Sequence, residues 1–181
     1  MSENPKVLLI TGPSGSGKST LAQSVAEKLD WAYVCEDDFW VKTGWGVDIR
    51  TAEQERVIQT QVNSKVTDEL NKDKGVVLEF ILYKKAPNTL TAYQESLTNS
   101  GIEFDTIALK PPVGEILNRI ANRGRAADLD NPKRRLQEVE SQLQVIEPEL
   151  IHPGLMIDPT GMSIDLLRDM CIERIFHSPH I

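Results

Sequence analysis

The sequence predicts an α/β protein: a single three-layer α/β/α domain built on a five-stranded parallel sheet, with a small lid. Three observations carry that expectation. Gly12-Pro13-Ser14-Gly15-Ser16-Gly17-Lys18-Ser19-Thr20 is a full match to G-x-x-x-x-G-K-[ST], set between an apolar run and an amphipathic segment. Short β-branched and aromatic runs alternate along the chain with segments of helical periodicity, the pattern of a parallel sheet covered by helices. Val76-Val77-Leu78-Glu79-Phe80-Ile81-Leu82-Tyr83 is almost continuously apolar, as a central strand buried on both faces requires.

Length and composition bound the reading. A chain of 181 residues suits one domain, 1–181, and 40% hydrophobic with 26% charged residues is an ordinary globular balance. The net charge of −7 argues against a general nucleic-acid binder, because such proteins need an excess of Lys and Arg to displace counterions. Cys35 and Cys171 are too few for a disulfide framework and lack metal-ligand spacing; they read as two buried thiols in a reducing compartment. No apolar run reaches the ~18 residues of a membrane span, and the N-terminus has no signal-peptide core, so the expectation is a cytoplasmic protein.

Lys6-Val7-Leu8-Leu9-Ile10-Thr11 is the first strand and delivers the chain into the glycine-rich stretch. Glycines at 12, 15 and 17 let successive N–H groups turn inward around an oxyanion. Ser14 and Ser16 belong to that loop. Lys18 supplies a point charge for β and γ phosphates, the Ser19 hydroxyl a ligand for Mg²⁺, and Thr20 serves the α-phosphate side. Leu21, Val25 and Leu29 recur every four residues, so the next segment is a helix whose positive dipole end faces the same phosphates.

Trp31 to Cys35 reads as a second strand that ends in Glu36, Asp37 and Asp38. Ligands of open parallel sheets sit at the carboxyl ends of the strands, so these acids fall near the γ-phosphate. A kinase needs one carboxylate there to orient the acceptor hydroxyl and take its proton; Asp38 is the first candidate, Asp37 the second, and Glu36 reads as structural. Phe39, Trp40 and Trp45 follow, with Gly44 and Gly46. They read either as an apolar wall for substrate or as core. From Thr51 to Lys72, Ile58, Val62, Val66 and Leu70 predict a long amphipathic helix ended by Gly75, and residues 37–72 form the expected acceptor-binding region. Glu79, alone in its apolar strand, is expensive to bury unless paired or near a metal, which makes it a candidate for holding Mg²⁺.

Asn88 to Asn99 predicts a polar helix closed by Gly101, and Phe104 to Leu109 a fourth strand broken by Pro111 and Pro112. The helix bearing Ile116, Leu117 and Ile120 also carries Arg119 and Arg123, with Gly124 and Arg125 beyond. Arginines on a glycine-hinged segment suit a lid, about 123–133, that neutralises the transferring phosphoryl group on closing. Asn131 reads as an N-cap with Pro132 at the first helical position, and Leu136, Val139, Leu143 and Ile146 face inward. That helix also brings Lys133, Arg134 and Arg135 near the lid. Gly154 to Asp158 is a last strand, and Ser163 caps a closing helix with Ile164, Leu167, Cys171 and Ile175 inward. His152, His177 and His180 have no metal-ligand spacing.

In this element order the chain resembles the small P-loop kinases of the gluconate kinase, shikimate kinase and chloramphenicol phosphotransferase kind, and more distantly adenylate kinase. The resemblance covers nearly the whole length. It is most specific at Gly12 to Thr20, and Asp37-Asp38-Phe39 is also similar to uridine and nicotinamide riboside kinases. It implies the three-layer P-loop NTPase fold, ATP and Mg²⁺ as cofactors, Asp38 or Asp37 as the acceptor-side base, Arg119 and Arg123 on the adenine side and lid, and Asp158-Pro159-Thr160 beside the adenine. No shikimate-type glycine motif follows the third strand, where Glu79-Phe80 stands instead, and the lid segment only loosely matches the nucleotide-kinase pattern. The expected activity is transfer of the γ-phosphate of ATP to a hydroxyl of a small molecule, by a monomer or homodimer. The alternatives are a nucleoside or nucleotide kinase, a regulatory P-loop ATPase, and phosphorylation of nucleic-acid ends, which the net charge disfavours.

Overall fold

Alternation along one strand sets the architecture. In the computed structural model, which describes residues 7–45, 50–82, 89–124, 131–146, 151 and 155–177, every residue of β1 (Val7–Thr11) is buried. Val7 and Leu9 enter one hydrophobic cluster, and Leu8 and Ile10 enter another on the opposite face. Successive strand side chains point to opposite faces, so a strand with no polar face must be covered on both.

The covering elements come from both directions in sequence. The strands β1, β2 (Ala32–Cys35), β3 (Val76–Phe80), β4 (Phe104–Leu109) and β5 (Met156–Ile157) form one parallel sheet in the order β2-β3-β1-β4-β5. The helices α1 (Lys18–Leu29) and α7 (Ile164–His177) cover one face through Leu21, Val25, Leu167 and Cys171. On the other, α2 (Glu36–Thr43), α3 (Ala52–Leu70) and α4 (Thr89–Asn99) contribute Trp40, Ile58, Val62, Val66 and Tyr93. A third, smaller cluster joins α5 (Val113–Arg123) to α6 (Pro132–Gln144) through Ile116, Ile120 and Val139. The three-layer α/β/α fold is therefore as expected. The strand order reverses around β1, and the crevice at the carboxyl ends there is where such sheets hold ligands.

Several boundaries differ from expectation for local reasons. Trp31 is not part of β2: Asp30 takes the left-handed conformation (φ 52°) and the Trp31 N–H returns to Ala26 C=O at 2.9 Å, capping α1. The acids after β2 form the first turn of α2, where negative charge meets the helix dipole favourably. Trp40 thereby turns inward and is core, whereas Trp45 is only partly buried against it. A reciprocal Thr51–Gln54 capping box starts α3. It ends before Gly75, with the chain turning at Asp73 (φ 59°). The strand β3 ends at Phe80, short of the apolar run that announced it; Lys6, Gly46, Tyr83, Asn88, His152, Gly154 and His180 lie outside the described residues. Ile164 is exposed rather than inward, because it is the first residue of α7, while Leu167, Cys171 and Ile175 are buried as expected. Cys171 is buried but Cys35 is only partly so.

Candidate active site

The carboxyl end of β1 runs directly into the glycine-rich loop and α1. Thr11 Oγ1 donates to Phe80 C=O at 3.1 Å, tying the ends of β1 and β3 together beneath the loop. Gly17 is the N-cap of α1, and the first intrahelical bond into it is from the Leu21 N–H to Gly17 C=O at 3.0 Å. The N–H groups of Lys18, Ser19 and Thr20 consequently have no helical acceptor and mark the positive end of the helix. Such an end is suited to an anion.

The loop is held from outside by α5 and α6. Arg119 Nη1 donates to Ser16 C=O at 3.1 Å, with Arg119 Nε bonded to Glu115 at 2.7 Å. Gln142 Oε1 accepts from the Ser14 N–H at 2.9 Å, across 128 residues of sequence. Gly15 has φ +85°, and a Cβ there would stand 2.8 Å from Ile120 Cγ1. At Gly12 a Cβ would stand 2.7 Å from Ser16 Oγ and 2.9 Å from Leu109 C=O, so the loop closes tightly enough to require both glycines. Ser16 Oγ is buried and has no hydrogen-bond partner among the described residues. It lies inside the loop that the motif assigns to phosphate.

Glu79 gathers the charged chemistry. It is 2% exposed, on β3, in register with Ile10 and Cys35 on the flanking strands. Its Oε1 accepts from Ser19 Oγ at 2.5 Å and lies 3.5 Å from Lys18 Nζ. Its Oε2 accepts from the Tyr33 hydroxyl. A buried carboxylate with an ammonium and two hydroxyls is compensated in a way an isolated one is not. Tyr33 is held protonated, first by burial and then by its bond to Glu79. The Ser19 hydroxyl and Glu79 carboxylate are hard oxygen donors, of the kind that suits Mg²⁺, and Lys18 beside them suits phosphate oxygens. The donor set therefore fits both groups.

The three acids of α2 divide by position. Glu36 is buried and accepts from Trp40 Nε1 at 3.0 Å and from the Tyr93 hydroxyl at 3.1 Å. Burial pushes its carboxyl up to about 7, against the Trp40 N–H and Arg50, which favour the charged form. Arg50 lies 3.9 Å from Glu36 and 3.7 Å from Asp37, and its guanidinium stacks 4.3 Å from the Trp40 ring. Asp37 is half exposed and Asp38 exposed; at 100° per residue Asp38 projects about 200° round the helix from Glu36. Glu36 is thus enclosed by Trp40 and Tyr93, and the two accessible carboxylates are those the sequence singled out.

Arg123 is exposed at the end of α5, before Gly124 (φ 63°). Arg125 and most of the expected lid, residues 125–130, lie outside the described residues. Lys133 and Arg134 are exposed, and Arg134 and Arg135 pair with Glu138 at 3.1 and 2.8 Å. Asp158 Oδ1 accepts from the Thr160 N–H at 2.9 Å, closing the turn after β5. Sequence reasoning missed Tyr33, Arg50 and Gln142. No helix among the described residues is long and apolar enough to cross a membrane.

Fold and site together define a P-loop kinase-type domain, a parallel sheet whose first strand ends in a phosphate loop backed by a buried carboxylate. The chain belongs to the family described as AAA domain, whose model matches residues 7–148. Adenylate kinase of Mycolicibacterium vanbaalenii is 27% identical over 134 residues, covering 68% of this chain and 74% of that protein. A probable gluconokinase of Rattus norvegicus is 42% identical over 60 residues, 30% of this chain and 31% of that one. Among solved structures, a sugar kinase from Janibacter sp. HTCC2649 superposes with a TM-score of 0.70 at 18% identity, covering 97% of this chain and 96% of that one. That likeness confirms the fold and extends over the whole of it.

Proposed function

We propose that this protein is an ATP- and Mg²⁺-dependent phosphotransferase that phosphorylates a hydroxyl of a small molecule, with gluconate- and shikimate-kinase-like organisation and a cytoplasmic setting. One observation carries the reading: Ser19 and Lys18, at the positive end of α1, converge on buried Glu79 while Asp37 and Asp38 stand accessible on α2. When bound, Mg·ATP supplies the transferable phosphoryl group and neutralises charge on its oxygens. The chain's own residues do the rest. The loop from Gly12 to Thr20 binds the phosphates through its N–H groups, with Lys18 placed on their β and γ oxygens. Ser19 and Glu79 hold the metal side. Arg119, which already fixes the loop through Ser16, serves the adenine side, and Arg123 and Arg125 neutralise charge on the transferring phosphoryl group. Asp38, with Asp37 as runner-up, orients the acceptor hydroxyl and takes its proton. Phosphoryl transfer draws its acceleration from such positioning and charge stabilisation.

Asp38→Asn and Asp37→Asn, assayed with an accepted substrate, test the assignment. The base is expected to lose about 10²- to 10⁴-fold in kcat with little change in KM for ATP. If instead Mg·ATP binding weakens in proportion to the rate, the carboxylate serves the metal. The likeness to adenylate kinase supports a second reading, a nucleoside or nucleotide acceptor. Adding nucleoside monophosphates to the assay separates the two. A regulatory ATPase differs from both in hydrolysing ATP only when a macromolecular partner is present.

A further inference from the structure

We infer that Tyr33 is a positioning residue for the metal side of the site, setting the orientation of the Glu79 carboxylate. The proposal rests on the reading that Glu79 and Ser19 hold Mg²⁺. A carboxylate offers about four lone-pair positions on two oxygens, and its terminal torsion is broad, so an unrestrained Glu side chain presents either oxygen in many orientations. Glu79 is restrained from both sides. Ser19 and Lys18 engage Oε1, and Tyr33 engages Oε2 from the neighbouring strand. The sheet places the donor: β2 pairs with β3 so that Cys35 lies opposite Glu79, and Tyr33, two residues earlier, shares that face.

Tyr33 is well suited to hold a position. Its ring packs against the cluster under α1 and α7, so the hydroxyl is carried on a fixed lever. With Oε2 occupied, Oε1 is the oxygen left facing Ser19 and Lys18. Partners of this outer kind typically change metal affinity 10- to 100-fold when removed, without touching the metal. Neither the phosphate-loop motif nor the acids of α2 contain this residue.

The test compares Tyr33→Phe, which removes one hydroxyl and keeps the ring, with Glu79→Gln and the double variant. Mn²⁺ binding in the presence of saturating ATP is read from the loss of its free paramagnetic resonance signal, alongside the Mg²⁺ dependence of turnover and a thermal unfolding curve for each protein. Tyr33→Phe is expected to weaken Mn²⁺ binding about tenfold and to raise the Mg²⁺ concentration for half-maximal rate similarly, with kcat at saturating metal largely restored. In the Glu79→Gln background the same change is expected to have almost no effect, since its target is gone. The proposal is overturned if Tyr33→Phe leaves Mn²⁺ affinity unchanged while Glu79→Gln weakens it, or if the loss persists undiminished in the double variant. If Glu79→Gln itself binds Mn²⁺ normally, the assignment of Glu79 to the metal fails, and Tyr33 with it.

Discussion

Gly15→Ala is expected to destabilise the chain far more than an alanine at a comparable glycine turn, because two costs coincide there. The residue sits at φ +85°, and a left-handed backbone costs an L-residue roughly 1–2 kcal/mol. The added Cβ also meets Ile120 Cγ1 at 2.8 Å and Cδ1 at 3.2 Å, with Ile116 Cγ2 at 3.3 Å. Ile120 is buried in the α5–α6 cluster, so overpacking adds about 1–3 kcal/mol. The sum is about 2–5 kcal/mol, a large share of the roughly 5–15 kcal/mol that a domain possesses. Gly44 provides the control: it has φ +67° but nothing within 4 Å of an added Cβ, so Gly44→Ala bears the backbone cost alone. At a urea slope near 2 kcal/mol/M, the midpoint of Gly15→Ala should fall about 0.5–1.5 M below that of Gly44→Ala. Truncating Ile120 to Ala should couple to Gly15→Ala by about 1–3 kcal/mol in a double-mutant cycle. Equal midpoints for the two glycine variants, with no coupling to Ile120, refute the reasoning.

Two further outcomes follow from the buried groups. Glu36, raised from its ordinary 4.5 to about 7 by burial, binds its proton more tightly in the folded state than in the unfolded one. Its contribution is therefore fully present below about pH 4.5 and is lost as pH rises through 7. The wild type should lose roughly 3 kcal/mol relative to Glu36→Gln between those limits, measured as the difference of urea unfolding free energies at each pH; a pH-independent difference contradicts the assignment. Gln142→Leu removes the acceptor of the partly buried Ser14 N–H and should cost about 1 kcal/mol. It should also speed hydrogen exchange at the Ser14 amide, and unchanged exchange there speaks against the contact.

Much of this fold could be read in advance because its decisive features are local. The strand, loop and helix from Val7 to Leu29 are written in consecutive residues. Glu79 was conspicuous as a charge in an apolar strand. Its partners were divided in visibility: Lys18 and Ser19 belong to a motif, whereas Tyr33 looks like any aromatic residue suited to a strand. Gln142 and Arg50 were silent for a related reason. A polar side chain in a helix or connecting segment carries no pattern that identifies its acceptor, and the Gln142 contact spans 128 residues. Trp40 was ambiguous between substrate wall and core until α2 turned it inward to Glu36 and Arg50. The boundary errors at Trp31, Gly75 and Ile164 share one origin: periodicity marks the faces of elements, while their ends depend on caps such as those at Asp30 and Asp73.

The central claim is that the loop around Lys18 serves transfer of a phosphoryl group to a small hydroxyl compound. Its most direct measurement is incubation of the wild-type protein and Lys18→Ala with Mg·ATP and a mixture of hydroxyl-bearing metabolites, followed by mass spectrometry. The account predicts a metabolite carrying one added phosphoryl group with the wild type, and its loss with a folded Lys18→Ala. Equal product from both proteins, or ATP hydrolysis that only a macromolecular partner stimulates and no phosphorylated metabolite, contradicts it.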